Sequence, residues 1–272
     1  MRFVPQRSAN TGKLEDCVAV AVLRFDDYSQ RYRHVAMTRD DLGVLQLRLH
    51  TDGGPLIWGE GPHTELPYCF ADVASDRENR VVVLTGTGQD FIARIDDSWA
   101  GPMTPEKWDL MFHHGNRLLR NLLDIEVPVI GAIQGKALLH AELAVLSDVV
   151  LASADAVIGD PIHFKNGIVS GDGVHIIWPM LLGPNRGRYF LLTGERLSAQ
   201  QAHQLDVVGE VVPREQLLTR AHEIARNLAA KPDLVLRYTR HAITHRIKQA
   251  LAEGLSLGLA LEGLGAQSDW PG

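Results

Sequence analysis

Val129-Ile130-Gly131-Ala132-Ile133, inside the stretch Val127-Pro128-Val129-Ile130-Gly131-Ala132-Ile133-Gln134-Gly135, is a continuous apolar run too short for a helix. Runs of this kind are strands buried on both faces, which is the signature of a sheet covered by helices. Val81-Val82-Val83-Leu84 and Val149-Val150-Leu151-Ala152 repeat it on either side, and Val44-Leu45-Gln46-Leu47-Arg48-Leu49 alternates like a half-buried strand. Helical stretches lie between them, at about residues 64–75 and 105–123. Alternating strand and helix predicts an α/β fold with a largely parallel sheet. Further helices are expected over 185–192, 198–205 and 215–229, the second with Ser198 as cap and Gln201 placed for a capping box. Lys231-Pro232 marks a break, and the helix that follows, to about Gly265, is long enough to dock as a separate element. The expected organisation is an N-terminal arm over 1–30, a core over 31–205 and a C-terminal helical region over 206–272.

Composition excludes several classes of function. With 45% hydrophobic residues the chain of 272 can bury a substantial core. Its net charge of -6 is spread along the chain with no basic face, so no nucleic-acid partner is expected. Cys17 and Cys69 are too few and too far apart for a disulfide framework, and read as reduced thiols. The apolar run Cys17–Leu23 is too short to span a bilayer and follows Glu15-Asp16, so no membrane association and a cytoplasmic location are expected. Gly86-Thr87-Gly88 lacks the third glycine of a dinucleotide fingerprint. No G-x-S-x-G or H-E-x-x-H is present, which leaves no support for a serine nucleophile or a catalytic metal.

The chemistry concentrates in one irregular stretch. Gly159-Asp160-Pro161-Ile162-His163-Phe164-Lys165-Asn166-Gly167-Ile168-Val169-Ser170-Gly171-Asp172-Gly173 has no helical period, yet lies between confident elements, as functional loops do. His163 is suited to proton transfer near neutral pH, and Asp172, flanked by glycines, can turn back to meet its second nitrogen. Spacing alone leaves a catalytic dyad and a structural hydrogen bond both open. His140 stands at a strand-to-helix turn, the edge where open α/β sheets bind ligands. Glu262 is a lone carboxylate in Leu257-Gly258-Leu259-Ala260-Leu261-Glu262 that needs a partner if buried. Trp58 and His63 belong to a loop after the first strands.

The stretch 127–135 and Leu192-Thr193-Gly194-Glu195-Arg196-Leu197-Ser198-Ala199-Gln200-Gln201-Ala202 resemble the crotonase superfamily, and the resemblance covers about residues 33–265. It implies a spiral core of ββα units with a C-terminal helical trimerisation region. Where its coenzyme A hydratases carry a glycine run and a catalytic glutamate, this chain has Leu138-Leu139-His140-Ala141-Glu142; their second glutamate falls near His163. His163, Gly167-Ile168-Val169, Gly171-Asp172-Gly173, the stretch 185–194 and Leu255-Ser256-Leu257-Gly258-Leu259-Ala260 are instead similar to the β-diketone hydrolases of the 6-oxocamphor hydrolase type. That resemblance implies His163 as base, Asp172 as its orienting carboxylate, His140 and Trp58 as contacts for substrate oxygens, Glu262 as an acid partner and His63 in the same pocket. It implies no cofactor, a small diketone substrate, and trimers or hexamers built through the last helix. Arg94 departs from the acidic residue of the diketone hydrolases near the loop bordering the pocket. The alternatives are an acyl-coenzyme A hydratase or isomerase, and a non-catalytic binding protein of the same fold.

Overall fold

A computed structural model describes residues 23–97 and 102–268; Cys17 and residues 1–22 of the expected arm lie outside these. The end of that arm belongs to the core: the one-turn helix α1 (Phe25–Tyr28) buries Tyr28 completely, and its hydroxyl donates to Asp76 Oδ2 at 2.9 Å.

Strands alternate between two sheets. The first of each pair, β2 (Val44–Leu49), β4 (Val81–Thr85), β6 (Val129–Ile133) and β8 (Val149–Ser153), runs parallel to its neighbours in a six-stranded sheet edged by β1 (Val35–Arg39) and β11 (Glu210–Val212). The second of each pair joins a five-stranded sheet: β3 (Leu56–Trp58), β5 (Ile92–Ile95), β7 (Lys136–Ala137) and β9 (Val157–Gly159), closed by β10 (Arg196–Ser198) antiparallel to β9. Helices α2 (Glu60–Ser75), α3 (Pro105–Asp124) and α4 (Glu142–Val145) each follow such a pair, which makes the core a spiral of ββα units. The expected boundary at residue 205 is crossed, because β11 pairs in parallel with β8.

Burial follows the sequence pattern. All five residues of β4 and of β6 are buried. One face of the six-stranded sheet, through Val82, Leu84, Val129 and Ile133, joins the main core; the other, through Val81, Val83, Ile130 and Ala132, packs on Leu217, Ala221, Ala225 and Ala229 of α8 (Leu217–Ala229). Gly131 shows why a glycine interrupts the β6 run. A Cβ there would stand 2.5 Å from Ala144 O and 2.9 Å from Ser147 Oγ, so α4 rests directly on the sheet. That close approach sets the turn before α4, which carries His140.

After α5 (Val174–Leu182), α6 (Pro184–Thr193) and α7 (Ala199–Gln204), the chain ends in α9 (Asp233–Ser268). The Ser198–Gln201 capping box forms as its spacing predicts, with both reciprocal bonds present. α5, unmarked by sequence periodicity, is apolar but for His175 and buries its Trp178 completely. Among the described residues no helix is long and apolar enough to cross a membrane. Cys69 is a buried free thiol, and burial pushes its pKa well up.

α9 is fastened at its start by Arg240, which is 2% exposed. Its Nε donates to Asp148 Oδ2 at 2.7 Å, and its Nη1 to the carbonyls of Leu123 and Ile125 at the end of α3. Asp148 also accepts the Val129 amide at 2.7 Å, so one buried ion pair ties α9, α3 and β6 together. Removing one partner of such a pair leaves a desolvated charge, at about 3–5 kcal/mol. Arg240→Ala is therefore expected to lower unfolding free energy by about that amount in urea titrations, whereas a loss below about 1 kcal/mol would show that this junction is not a main support of the fold.

Candidate active site

All six residues singled out in the sequence line one pocket: Trp58, His63, His140, His163, Asp172 and Glu262. Ile95, Met111, Leu118, Leu139, Ile162 and Leu259 supply its apolar walls. The polar groups arrive from separate elements. Trp58 ends β3 and His63 lies in the first turns of α2, so neither sits on an irregular loop as expected. His140 occupies the turn between β7 and α4 with φ 43°, a left-handed conformation that costs a non-glycine residue energy and that the following turn holds, Leu143 N donating to His140 O at 3.1 Å. His163 precedes a single 3-10 turn (Phe164–Asn166), and its carbonyl accepts from the amides of Asn166 and Ile168. Arg94 lies in β5 but is exposed and not part of this lining; its neighbour Ile95 is.

Glu262, on the inner face of α9, is 5% exposed. It accepts from the Gly171 amide, and its Oε2 is buried without a hydrogen-bond partner. The loop and the helix meet backbone to backbone here: a Cβ on Gly171 would lie 2.2 Å from Gly258 O, and one on Gly258 2.3 Å from Gly171 O. Only glycine at both positions permits the approach that sets Glu262 beside Asp172.

The imidazoles are bound to carboxylates in a pattern the sequence did not reveal. His163 Nδ1 donates to Asp160 Oδ1 at 2.7 Å, while its Nε2 is 3.3 Å from Asp172 Oδ2. His140 Nδ1 donates to Glu142 Oε1 at 2.5 Å and is 3.7 Å from the same Asp172 oxygen. Asp172, expected as the single orienting partner of His163, is instead shared between two histidines, each of which has a carboxylate of its own. Asp160 and Glu142 are thus the functional candidates that sequence reading missed. Their signal was proximity alone, three residues before His163 and two after His140.

These contacts decide which groups carry protons. Burial works against a charged His163, but the Asp172 and Asp160 carboxylates outweigh it and hold the imidazole well above its ordinary pKa. Burial likewise opposes charge on His140, and Glu142 followed by Asp172 raises it. Asp172 would be pushed up by burial, yet His163 and then His140 pull it below the usual carboxylate range. Glu262 goes the other way: burial and then the Asp172 charge push it well above that range and favour the uncharged acid. Burial, with the fields of His140 and His114, pushes His63 down to about 3 and favours its neutral imidazole. The Trp58 ring lies over His140 with centroids 3.8 Å apart and planes 37° apart, and its π face favours the imidazolium.

Two trios bring metal-ligating atoms within 4.8 Å of one another, His140–Glu142–Asp172 and His163–Asp172–Glu262. Ligation needs neutral imidazole and ionised carboxylate. Each imidazole is already engaged by carboxylates of the site, His163 by Asp160 and Asp172 and His140 by Glu142, an arrangement suited to holding protons.

The sequence model of the enoyl-CoA hydratase/isomerase family matches residues 60–264. The 1,2-epoxyphenylacetyl-CoA isomerase of Escherichia coli K12 is 31% identical over 221 residues, covering 79% of this chain and 84% of its own. Among solved structures, a β-diketone hydrolase from the cyanobacterium Anabaena sp. PCC 7120, bound to (S)-3-oxocyclohexyl acetic acid, is 49% identical, with a TM-score of 0.87 over 89% of this chain and 97% of that one. An enoyl-CoA hydratase from Bacillus anthracis is 26% identical, with a TM-score of 0.72 over 86% of this chain and 90% of that one. With three quarters of its length matched by the family model and its ββα spiral shared with these structures, the chain belongs to the enoyl-CoA hydratase/isomerase family, the crotonase superfamily.

Proposed function

We propose that this enzyme hydrolyses a carbon–carbon bond of a β-diketone, cyclic or bicyclic, by a retro-Claisen reaction that needs no cofactor. The observation that carries this reading is that two imidazoles flank Asp172 in one pocket, beside the buried carboxyl of Glu262, whose pKa burial raises. The 49% identity to a β-diketone hydrolase supports it.

In the working form His163 keeps its Nδ1 hydrogen on Asp160 and presents Nε2 to the pocket. A water at Nε2 gives up one proton there. We assign Asp172, whose Oδ2 stands 3.3 Å from Nε2, to accept the other hydrogen and so aim the oxygen at a carbonyl. Addition gives a tetrahedral intermediate whose collapse breaks the bond to the central carbon, leaving a carboxylic acid and expelling an enolate. His140, the Trp58 indole N–H and uncharged Glu262 are the available donors to the developing oxyanions. Removing one preorganised donor of this kind raises the barrier by about 2.7–4 kcal/mol. His163 then returns its proton to the enolate carbon, so the sum is diketone plus water to keto acid.

The named activity of the Escherichia coli relative, on a coenzyme A thioester, favours a second reading as an acyl-coenzyme A hydratase or isomerase. The two are separated by substrate. Ultraviolet absorbance of cyclic 1,3-diketones is expected to decay with wild-type protein, chelator present, and to slow by about 10²- to 10⁴-fold in His163→Ala. Equal rates in the two proteins would remove His163 as the base, and turnover of an enoyl-coenzyme A with no diketone consumed would establish the second reading.

The pH dependence follows from the same contacts. Because His163 is raised, its uncharged base form is scarce at low pH and grows as pH rises. The acid limb of kcat/KM is therefore expected to have its midpoint above 6.5, the ordinary imidazole value. A midpoint at or below 6.5 would mean that the carboxylates do not hold the proton on this ring.

We read the last helix as the subunit contact of a trimer or a pair of trimers. Its supports are the large apolar side chains α9 leaves exposed, among them Tyr238, Ile243, Leu257, Leu261 and Leu264. A cytoplasmic location fits the free Cys69 thiol. Sedimentation equilibrium is expected to give three or six times the 30.0 kDa chain mass; a monomer at micromolar concentration would contradict this assembly.

A further inference from the structure

We infer that Asp160 is a positioning residue that fixes the tautomer and ring orientation of His163 and sets the pH range in which it acts as a base. The inference rests on the proposed role of His163. It adds a residue that neither the sequence reading nor the spacing of the His163–Asp172 pair supplies.

The geometry is that of a dedicated holder. Asp160 directly follows β9, whose pairing with β7 and β10 fixes the strand's backbone, and Pro161 after it restricts Asp160 to extended conformations. Its side chain is 5% exposed. One oxygen accepts from His163 Nδ1 at 2.7 Å; the other is buried with no hydrogen-bond partner. A desolvated carboxylate with a single strong partner is stabilised mainly by that partner's N–H. Because a carboxylate only accepts, this bond puts a hydrogen on Nδ1 in both the charged and the neutral ring, and so leaves Nε2 as the nitrogen that loses its proton. Without Asp160 the carboxylate at Nε2 would draw the neutral ring's hydrogen to that side, away from Nδ1. The base would then be absent from the pocket.

The groups facing His163 from every packed element are accounted for. Asp172 stands at Nε2 from the turn before α5, and Glu262 approaches from α9. His140 and Glu142 act from the turn before α4 through the shared Asp172. His175 on α5 and His63 on α2 are both lowered by burial, which favours their neutral forms. Asp160 and Asp172 are therefore the charges that favour the imidazolium, and Asp160 is the one without a second partner.

The test combines ring ¹⁵N NMR of His163 with the kcat/KM profile in wild type, Asp160→Asn and Asp160→Ala. Asn keeps an acceptor for Nδ1 but removes the charge. Its ring titration and its acid limb are both expected to move to lower pH by about one unit or more, with the high-pH plateau changed only a few-fold. Ala removes the acceptor too, and the plateau is expected to fall about 10- to 100-fold. Unmoved titration and acid limb in a folded Asp160→Asn would overturn the inference. So would a wild-type neutral ring with its hydrogen on Nε2, a result readable even where neither variant folds. A shifted ring titration in a protein that consumes no diketone would support the positioning role while removing the proposed reaction, so the two failures are distinct.

Discussion

Asp172 sits between two imidazoles, 3.3 Å from His163 and 3.7 Å from His140, mostly buried in the pocket lining, and the pocket is organised around its charge. A carboxylate buried alone would take up a proton. Here the two imidazoles beside it pull its pKa down, and each of them is raised in turn by Asp172 and by a second carboxylate, Asp160 for His163 and Glu142 for His140. The five groups form one electrostatic unit in which each member's protonation is set by its neighbours. Glu262 faces the same charge with no cation of its own, and is therefore the acid of the set. A group that holds its proton and a group that can lose one are obtained side by side from one central anion.

The ββα spiral makes this unit possible by delivering side chains from distant parts of the chain to one place. Each strand pair crosses from the six-stranded to the five-stranded sheet and ends at the same edge, where Trp58 closes β3 and His140 and Asp160 follow β7 and β9. Close packing fixes the spacing. α4 lies against Gly131 with no side chain between, and that contact brings the turn bearing His140 and Glu142 to within reach of the loop from the next repeat. Helix α3 then carries α9 across the open side, joined through Ser256 Oγ and Asn116 Oδ1 at 2.7 Å, and Glu262 comes with it.

Much of this was legible in the chain. The buried strands announced themselves because an element covered on both faces has no polar positions, and the residues of the pocket stood out as polar or charged groups in irregular or apolar surroundings. The short strands β3, β5, β7 and β9 were not legible. Two to four residues show no period, and their pairing is decided by partners far away in sequence. α5 escaped for the opposite reason, since a helix apolar but for one histidine has no amphipathic stripe. Asp160 and Glu142 looked like ordinary carboxylates beside a loop and a helix. What distinguishes them is the direction of a side chain, which depends on how β9 and α4 are seated and is invisible to spacing. The same limit made Asp172 look like the private partner of one histidine.

The contact of Gly171 with Gly258 has a bearing on how the protein is made. The loop with His163 and Asp172 can be threaded early in synthesis, once β9 has paired, but the wall it rests on is the backbone of the last helix. Until residues 258 to 262 have left the ribosome, Gly171 has nothing to pack against, its amide lacks the Glu262 acceptor, and the carboxylate cluster stands open to water. In water Asp172 is screened, the histidines return toward ordinary behaviour, and no strongly held proton exists. A chain clipped before Gly258 would carry His163, Asp172 and their carboxylate partners without the wall that encloses them.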